Sequence, residues 1–315
     1  MTNFLFSLNV VAPLFVLMTI GYVLRQIKFV TEDFLSQLNK FVFKFCLPLM
    51  LFQDIRHSYK GDFSNTNLIF ASLIGISVVI ALSFLTVPFI VKGKAQRGSI
   101  IQGIYRSNFL IYGLPLATGM YGSNAVASIS MLMGIMIPFY NVAAVIILSI
   151  YSETGNQKVT FGGIVKGIVT NPLIIGCFFG LLGGITHLEL PRFLEVPTAQ
   201  LAAVAAPLAL VVMGGEFKFR KLKNNIHKVI AVTILRLIVV PVIALSIFVS
   251  IGFRNVDLAV LLCIFATPTA MASYIMARNM GNDAELSAQI VVLTTASSCV
   301  TIFIIVFFLR SWGYL

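Results

Sequence analysis

The chain has 315 residues, of which 58% are hydrophobic and only 10% are charged, and its mean hydropathy is +0.98. A soluble domain carries about 25% charged residues, so this composition excludes an ordinary soluble protein. The net charge of +11 could indicate a nucleic-acid partner, but in a membrane protein such an excess is explained by basic loops on one side. We therefore predict a polytopic helical protein of the lipid bilayer that binds no nucleic acid.

The apolar residues form continuous runs without the inside/outside alternation of a β-barrel. A spanning helix needs about 20 apolar residues, and the chain contains ten such runs. They cover residues 4–24, 34–53, 67–91, 99–120, 125–150, 162–184, 197–215, 227–250, 256–278 and 286–310. The first run has no basic segment before it and is interpreted as a spanning helix, not as a cleaved signal. The sequence predicts an all-α polytopic membrane protein with ten transmembrane helices.

The distribution of Lys and Arg predicts the orientation of these ten helices. The loops after predicted helices 1, 3, 5, 7 and 9 contain 13 basic residues, whereas the opposite side contains five. Because basic loops stay in the cytoplasm, both termini are predicted on the non-cytoplasmic side of the cell membrane.

Prolines and glycines recur at constant offsets along the chain. An offset of 159 residues relates Pro13 to Pro172, Gly21 to Gly180 and Pro48 to Pro207, and an offset of 153 relates Pro88 to Pro241 and Pro115 to Pro268. Several ordered pairs at constant offsets indicate a duplicated unit. The predicted units are residues 1–153 and 159–315. Each unit has five helices, and an odd number makes the second unit enter from the opposite side, so the repeats are inverted.

Two of the predicted helices are interrupted near their centres. Predicted helix 4 contains NFLIYGLPLATGMYG, which Gly113 and Pro115 break, and predicted helix 9 contains LLCIFATPTAMASYIMA, with Thr267 and Pro268 at its centre. Interrupted helices in corresponding positions of two repeats are typical of a transporter's binding site. Thr267 is predicted to cap a new helix that Pro268 starts. A half-helix N-terminus of this kind favours an anion.

Polar residues near these interruptions are the candidates for substrate contact. The predicted substrate-binding residues are Asn108, Tyr112, Gly113, Pro115, Asn141, Thr267, Pro268 and Thr269. Arg106 and Arg236 are charges well inside predicted helices, and we expect them to attract an anion electrostatically or to extend to the cytoplasmic surface. Arg106 precedes Pro115 by nine residues, about 13 Å along a helix, which favours a position in a cytoplasmic vestibule for its side chain.

The sequence contains no acidic residue in the middle of a predicted helix and no paired carboxylates for catalysis. It also lacks HExxH, GxSxG and phosphate-loop motifs, and its His and Cys residues do not have metal-ligand spacing, so we predict no enzyme, no metal and no cofactor.

The sequence leaves two possibilities for coupling of transport to an ion. A proton could enter with the protonated substrate, or Na⁺ could bind backbone carbonyls that the breaks release.

Three stretches carry a resemblance to a known family. The sequences SNFLIYGLPLATGMYG, VTNPLIIGCFFGLL and TPTAMASYIMARNMG, the last followed by an acidic residue (Asp283), resemble the auxin efflux carrier family of bacterial malate or malonate permeases and plant PIN-type exporters. The resemblance covers essentially the whole chain. It departs from plant members at Thr267–Thr269, where plant members are more apolar, and in the short connection between predicted helices 5 and 6.

The resemblance implies a bile-acid-symporter-like fold with crossed helices 4 and 9. It implies a scaffold of helices 1, 2, 6 and 7, a transport domain of helices 3–5 and 8–10, elevator-type movement and a homodimer formed through the scaffold. It also places the family's crossover ligand on Asn108. The expected function is secondary transport of a small organic anion such as malate or malonate. Export of an amphipathic aromatic acid such as auxin, and ligand sensing without transport, are the alternatives, and a channel is disfavoured because the sequence has no filter repeat.

Overall fold

The computed structural model describes residues 2–58, 65–153, 161–217 and 219–315, and their structure is almost entirely helical. Three of the lysines used to predict the orientation lie outside these residues: Lys60, Lys158 and Lys218. The predicted boundary between the two repeats also lies outside them. The described part of the chain contains no strand, and its one isolated β-bridge joins Ser107 to Thr269. The predicted all-α class is therefore confirmed.

Sixteen α-helices follow one another along the described residues. They are α1 (Thr2–Gln26), α2 (Glu32–Phe41), α3 (Leu47–Ser58), α4 (Thr66–Ile90), α5 (Lys94–Tyr105), α6 (Leu114–Tyr121), α7 (Ser123–Tyr151), α8 (Phe161–Val169), α9 (Pro172–Ile185), α10 (Arg192–Ala203), α11 (Ala205–Glu216), α12 (Phe219–Ile234), α13 (Val240–Ile251), α14 (Asn255–Ala266), α15 (Ala272–Asn279) and α16 (Ala284–Ser311). Three five-residue π-turns lie between α2 and α3 (Val42–Cys46), before α6 (Phe109–Gly113) and between α12 and α13 (Leu235–Val239).

Six helical stretches of the described residues are long and apolar enough to cross a membrane. They are Glu32–His57, Thr66–Ile90, Ser128–Tyr151, Arg192–Glu216, Asn225–Ile251 and Ala284–Ser311. Shorter apolar helices cover Phe15–Gln26, Pro172–Ile185 and Asn255–Ala266. Phe15–Gln26 is the second half of the continuous helix α1, whereas Pro172–Ile185 and Asn255–Ala266 belong to predicted spans that a cap or a break divides. One example is predicted helix 6, in which Asn171 ends α8 and caps α9 by accepting a bond from the Leu173 N–H at 2.9 Å.

Two close helix contacts hold one side of the molecule together. A Cβ atom on Gly21 of α1 would lie 2.0 Å from the carbonyl oxygen of Val211 in α11, and one on Gly180 of α9 would lie 3.0 Å from the carbonyl oxygen of Phe52 in α3. Small residues let helix backbones approach closely in a membrane. The offset between Gly21 and Gly180 is 159 residues, and the offset between Phe52 and Val211 is also 159.

Helix α14 lies at the centre of the other side. Every residue from Leu258 to Ala266 is buried, and α14 packs against α4, α6, α7, α13 and α16. A short helix that is apolar on all faces is stable in such a position because neighbouring helices cover each face. Burial of α14 fixes the place where its chain leaves the helix, which is the functional site described next.

Candidate functional site

The structure interrupts the first broken helix at Arg106–Asn108, where α5 has ended at Tyr105 and the next helical turn has not begun. This position lies before the predicted break, and Gly113 instead ends the π-turn that leads into α6. A proline inside a helix lacks a backbone donor and crowds the preceding turn, so we attribute the wide π-turn to Pro115. The predicted break at Gly113 and Pro115 is therefore wrong by several residues.

The second broken helix stops at Ala266 and restarts as α15 at Ala272. Thr267 is extended, as expected for a residue before proline, and its hydroxyl donates to the Cys263 carbonyl at 2.7 Å. Thr267 therefore ends α14 and does not cap a following helix. The predicted helix start at Pro268 is wrong, because this residue belongs to the extended connection.

The two extended connections cross and bond to each other. The Asn108 N–H donates to the Pro268 carbonyl at 2.9 Å, and the Ala270 N–H donates to the Arg106 carbonyl at 3.1 Å. These bonds form the isolated antiparallel bridge between Ser107 and Thr269. Backbone groups that both helices release are thereby paired within the protein, as the interior of a bilayer requires.

Hydroxyl groups reinforce this crossing from within. Ser107 Oγ and Thr267 Oγ1 lie 2.6 Å apart, and Thr269 Oγ1 donates to the Gly103 carbonyl at 2.7 Å. Thr267 and Thr269 are both fully buried. The side chains of Thr267 and Thr269 therefore hold the two extended connections against each other.

A cavity of about 80 Å³ lies beside the crossing. One wall is polar and comes from Arg106, Ser107, Asn108, Tyr140 and Asn141. The opposite wall is apolar and comes from helices α3 and α11 through Leu47, Met50, Leu51, Ala206 and Ala209. The cavity thus separates the crossing from the helices that the close glycine contacts hold together.

Arg106 is buried at this cavity, with 4% of its surface exposed. Its Nη2 donates to Asn141 Oδ1 at 2.7 Å. The Gln102 amide is assigned the orientation in which both of its ends are paired. In this orientation its oxygen accepts from Arg106 Nη1 at 2.8 Å and its nitrogen donates to the Ser273 carbonyl. Among the described residues, no carboxylate forms an ion pair with Arg106. The expected vestibule position of Arg106, away from the crossing, is wrong because the chain breaks at Arg106 itself.

Asn108 also lines this cavity. The residue is 6% exposed, and its Nδ2 has no hydrogen-bond partner among the residues that the structure describes. A buried amide donor without a partner costs about 1 to 3 kcal/mol, so such groups in native proteins usually have a ligand or water. Arg106 and Asn108 thus place a guanidinium and an amide donor in the lining of a small cavity, and no acidic residue is among its described lining residues.

Arg236 lies behind the crossing, on the π-turn between α12 and α13, and is fully buried. Its Nε donates to the Thr267 carbonyl at 2.9 Å and its Nη2 to the Ile264 carbonyl at 3.1 Å. Its Nη1 lies 3.2 Å from the Ile104 carbonyl and 3.4 Å from the Tyr105 carbonyl. The guanidinium therefore bonds the last carbonyls of both α5 and α14, and extension to the surface is excluded.

The structure brings only part of the predicted set to the cavity. Asn108, Asn141 and Arg106 line it, whereas Tyr112, Gly113, Thr267, Pro268, Thr269 and Arg236 belong to the surrounding structure. The side chain of Pro115 lies outside the described residues. Sequence reasoning missed Gln102, although a buried amide one turn before an intrahelical arginine is a recognisable signal.

A second polar contact joins α15 to the helices across the cavity. Glu216 of α11 accepts a short hydrogen bond from the Tyr274 hydroxyl and pairs with Arg278 at 3.3 Å. Asn279 donates to Asn39 Oδ1 of α2 at 3.3 Å. These bonds close one end of the space between α15 and its neighbours.

Comparison with known proteins gives the family whose model this chain matches and several similar proteins. Residues 6–306 match the family described as "Membrane transport protein". An "Uncharacterized transporter" of Methanothermobacter thermautotrophicus is 24% identical over 95% of this chain and 97% of its own, and a "Putative malonate transporter" of Rhizobium meliloti is 24% identical over 96% of each chain. "Auxin efflux carrier component 8" of Arabidopsis thaliana is 31% identical over 36% of this chain and 32% of its own. These relatives are named as transporters and not as enzymes.

Proposed function

The chain belongs to the membrane transport protein family, which is auxin efflux carrier-like, and we propose that it is a secondary transporter of a small organic anion. The observation that carries this proposal is the buried guanidinium of Arg106 beside the unpartnered amide of Asn108. A carboxylate is the ligand that fits both groups, because it accepts bonds from a guanidinium fork and from an amide donor.

The charge around the cavity favours an anion, and a dicarboxylate in particular. Arg106 supplies one positive charge without an ion-pair partner in the described part of the chain. The half-helices that begin at Phe109 and Ala272 both reach the cavity, and each N-terminus carries roughly half a positive charge. The sum is roughly two charges, which matches a dianion such as malonate or malate.

The size of the cavity favours a small substrate. A volume of about 80 Å³ holds a few water molecules. Aromatic acid export, such as auxin efflux, is the second candidate, and the partial similarity to the Arabidopsis protein favours it. An indole ring would need the apolar wall of Leu47, Met50 and Leu51 to move away from the crossing. Ligand sensing without transport uses the same site and differs only in the absence of flux.

We propose that the fold comprises ten spanning helices in two inverted repeats of five. The offset of 159 residues supports this assignment, because it relates the contact between Gly21 and Val211 to the contact between Gly180 and Phe52. In this arrangement the two broken helices are symmetry partners that cross at the middle of the bilayer.

Alternating access then follows from the position of the cavity between two groups of helices. The scaffold contains α1–α3 and α8–α11, and the transport domain contains α4–α7 and α12–α16. We propose that the crossing moves as part of the transport domain in an elevator-type cycle, while the apolar wall of α3 and α11 stays in place. Both termini lie outside the cytoplasm in this proposal, and two copies pair through their scaffolds.

Uptake by purified protein in proteoliposomes tests the function. We expect saturable uptake of labelled malonate or malate, competition by other small dicarboxylates and weaker competition by indole-acetate. Binding without flux would instead support a sensor, and stronger competition by indole-acetate would support the aromatic acid exporter. Empty liposomes and liposomes with the Arg106→Gln variant are the controls.

A further inference from the structure

We propose that Arg236 is a built-in cation that occupies, at the helix crossing, the carbonyl oxygens on which a coupling Na⁺ would bind. The inference rests on the proposed function, and it deepens that function by assigning the coupling. The carrier would move its anion without a sodium ion at these carbonyls, because the cation of the site is part of the chain.

The carbonyls around Arg236 have the arrangement of a cation site. Unwound backbone carbonyls and the C-terminal ends of half-helices coordinate Na⁺ in transporters with broken helices. Here the four carbonyl oxygens come from the end of α5 and from the last turn and end of α14, and all four lie 2.9 to 3.4 Å from nitrogen atoms of one guanidinium. A monovalent cation is thus already present where the two helices end.

The charges balance within this arrangement. Each helix C-terminus carries roughly half a negative charge, so the ends of α5 and α14 together supply roughly one negative charge. The guanidinium of Arg236 supplies one positive charge, and it forms no ion pair with a carboxylate of the described residues. A second cation could therefore not bind the same carbonyls. The guanidinium already fills the space, and the added positive charge would have no negative charge to balance it.

The two buried arginines consequently have different tasks. Arg236 faces helix C-termini and is neutralised by them, whereas Arg106 lines the cavity near helix N-termini and is left for the substrate. The π-turn that carries Arg236 widens its helix at this point and is a local feature found often at functional sites. Loss of Arg236 should open a position for an external cation, and loss of Arg106 should not.

The experiment compares cations on the purified protein, by thermal unfolding and by uptake in proteoliposomes. Wild-type protein is expected to show the same Tm and the same uptake in NaCl and in choline chloride. Arg236→Ala is expected to lower the Tm by about 5 °C or more, because several buried carbonyls lose their donors, and to reduce uptake at least about tenfold. Millimolar guanidinium is expected to restore part of the lost Tm in this variant, and choline is not.

Arg254→Ala is the matched control, since Arg254 also donates to two backbone carbonyls, those of Val249 and Phe253, but is exposed at a helix end. This variant is expected to have no cation-dependent Tm. Arg236→Lys keeps a charge with fewer donors and is expected to have an intermediate Tm.

Two results would overturn the proposal. One is a wild-type Tm or uptake that rises with Na⁺ relative to choline, which needs no variant to fold. The other is an Arg236→Ala protein that folds and shows no response to guanidinium. Wild-type protein without uptake would contradict the proposed transport function. The role of Arg236 would still be supported if the wild-type Tm is equal in NaCl and choline chloride and guanidinium raises the Tm of Arg236→Ala.

Discussion

The backbone N–H of Asn108 donates to the carbonyl of Pro268 at 2.9 Å, and this bond joins two helices that are 160 residues apart in sequence at their points of interruption. The same residue lines the cavity, and its buried side-chain amide nitrogen has no partner among the described residues. One residue thus holds the crossing with its backbone, and in the proposed function its side chain supplies a donor to the substrate. Substitutions at Asn108 separate these two roles because they leave the backbone bond in place.

Asn108→Ala is expected to raise the KM for uptake about threefold to tenfold, the effect of losing one neutral hydrogen bond. Asn108→Asp is expected to reduce uptake further, because it places a negative charge where an anion binds. The measurement is initial uptake against substrate concentration. Asn67→Ala, an exposed asparagine on α4, is the control. An unchanged KM in both Asn108 variants would remove this residue from the site.

Arg106→Gln is expected to lower uptake about 10- to 100-fold, because a charged hydrogen bond to the substrate is lost. Its Tm without substrate should change little, since the variant also removes a buried charge that has no ion-pair partner in the described residues. Its Tm should also stop rising when substrate is added. Thermal unfolding with and without malonate tests this pattern. A substrate-induced rise in Tm equal to that of wild type would contradict it.

Gly21→Ala is expected to destabilise the protein by about 2 kcal/mol, because the new Cβ would lie 2.0 Å from the Val211 carbonyl and push α1 away from α11. Thermal unfolding in detergent measures this loss. Gly162→Ala is the control, since Gly162 lies on α8 with no atom within 4 Å of a new Cβ. A Gly21→Ala protein as stable as Gly162→Ala would show that α1 and α11 do not need their close approach.

Glu216→Gln is expected to loosen α15 from α11, since Glu216 bonds both Tyr274 and Arg278 across the two groups of helices. Hydrogen exchange in residues 272–279 should become faster. Glu195→Gln provides the comparison, because Glu195 pairs with Arg56 between α10 and α3, within one group of helices. Equal exchange of α15 in wild type and Glu216→Gln would mean that this contact does not hold the two groups together.

Much of the fold could be predicted from the sequence because composition and length decide it. Apolar runs long enough for a bilayer have few alternatives to helices, so the all-α class followed directly. That the two helices are disturbed was also detectable, since Pro115 and Pro268 lack a backbone donor and each lies near the middle of an apolar run. Membership of the family was visible in the same stretches, and the comparisons confirm it.

The exact geometry of the breaks could not be predicted, because a proline marks a disturbance without fixing where it is absorbed. Pro115 is accommodated by a π-turn, and the chain opens earlier, at Arg106–Asn108. Because of this shift, Arg106 lines the cavity in the structure, whereas the sequence predicted a position in the cytoplasmic vestibule. The role of Arg236 was also hidden, since its partners are backbone carbonyls, which every residue has and no sequence pattern identifies.

The position of Arg236 also constrains how the protein is made. An arginine at the centre of a helix opposes membrane insertion by about 2.5 to 3.5 kcal/mol, and the hydropathy of Asn225–Ile251 is high enough to carry it into the bilayer. Its carbonyl partners on α5 are synthesised before it, but those on α14 come after it. During biogenesis the Arg236 guanidinium can therefore bond only the α5 carbonyls at first. Its bonds to the α14 carbonyls form after that helix has been synthesised and the crossing is complete.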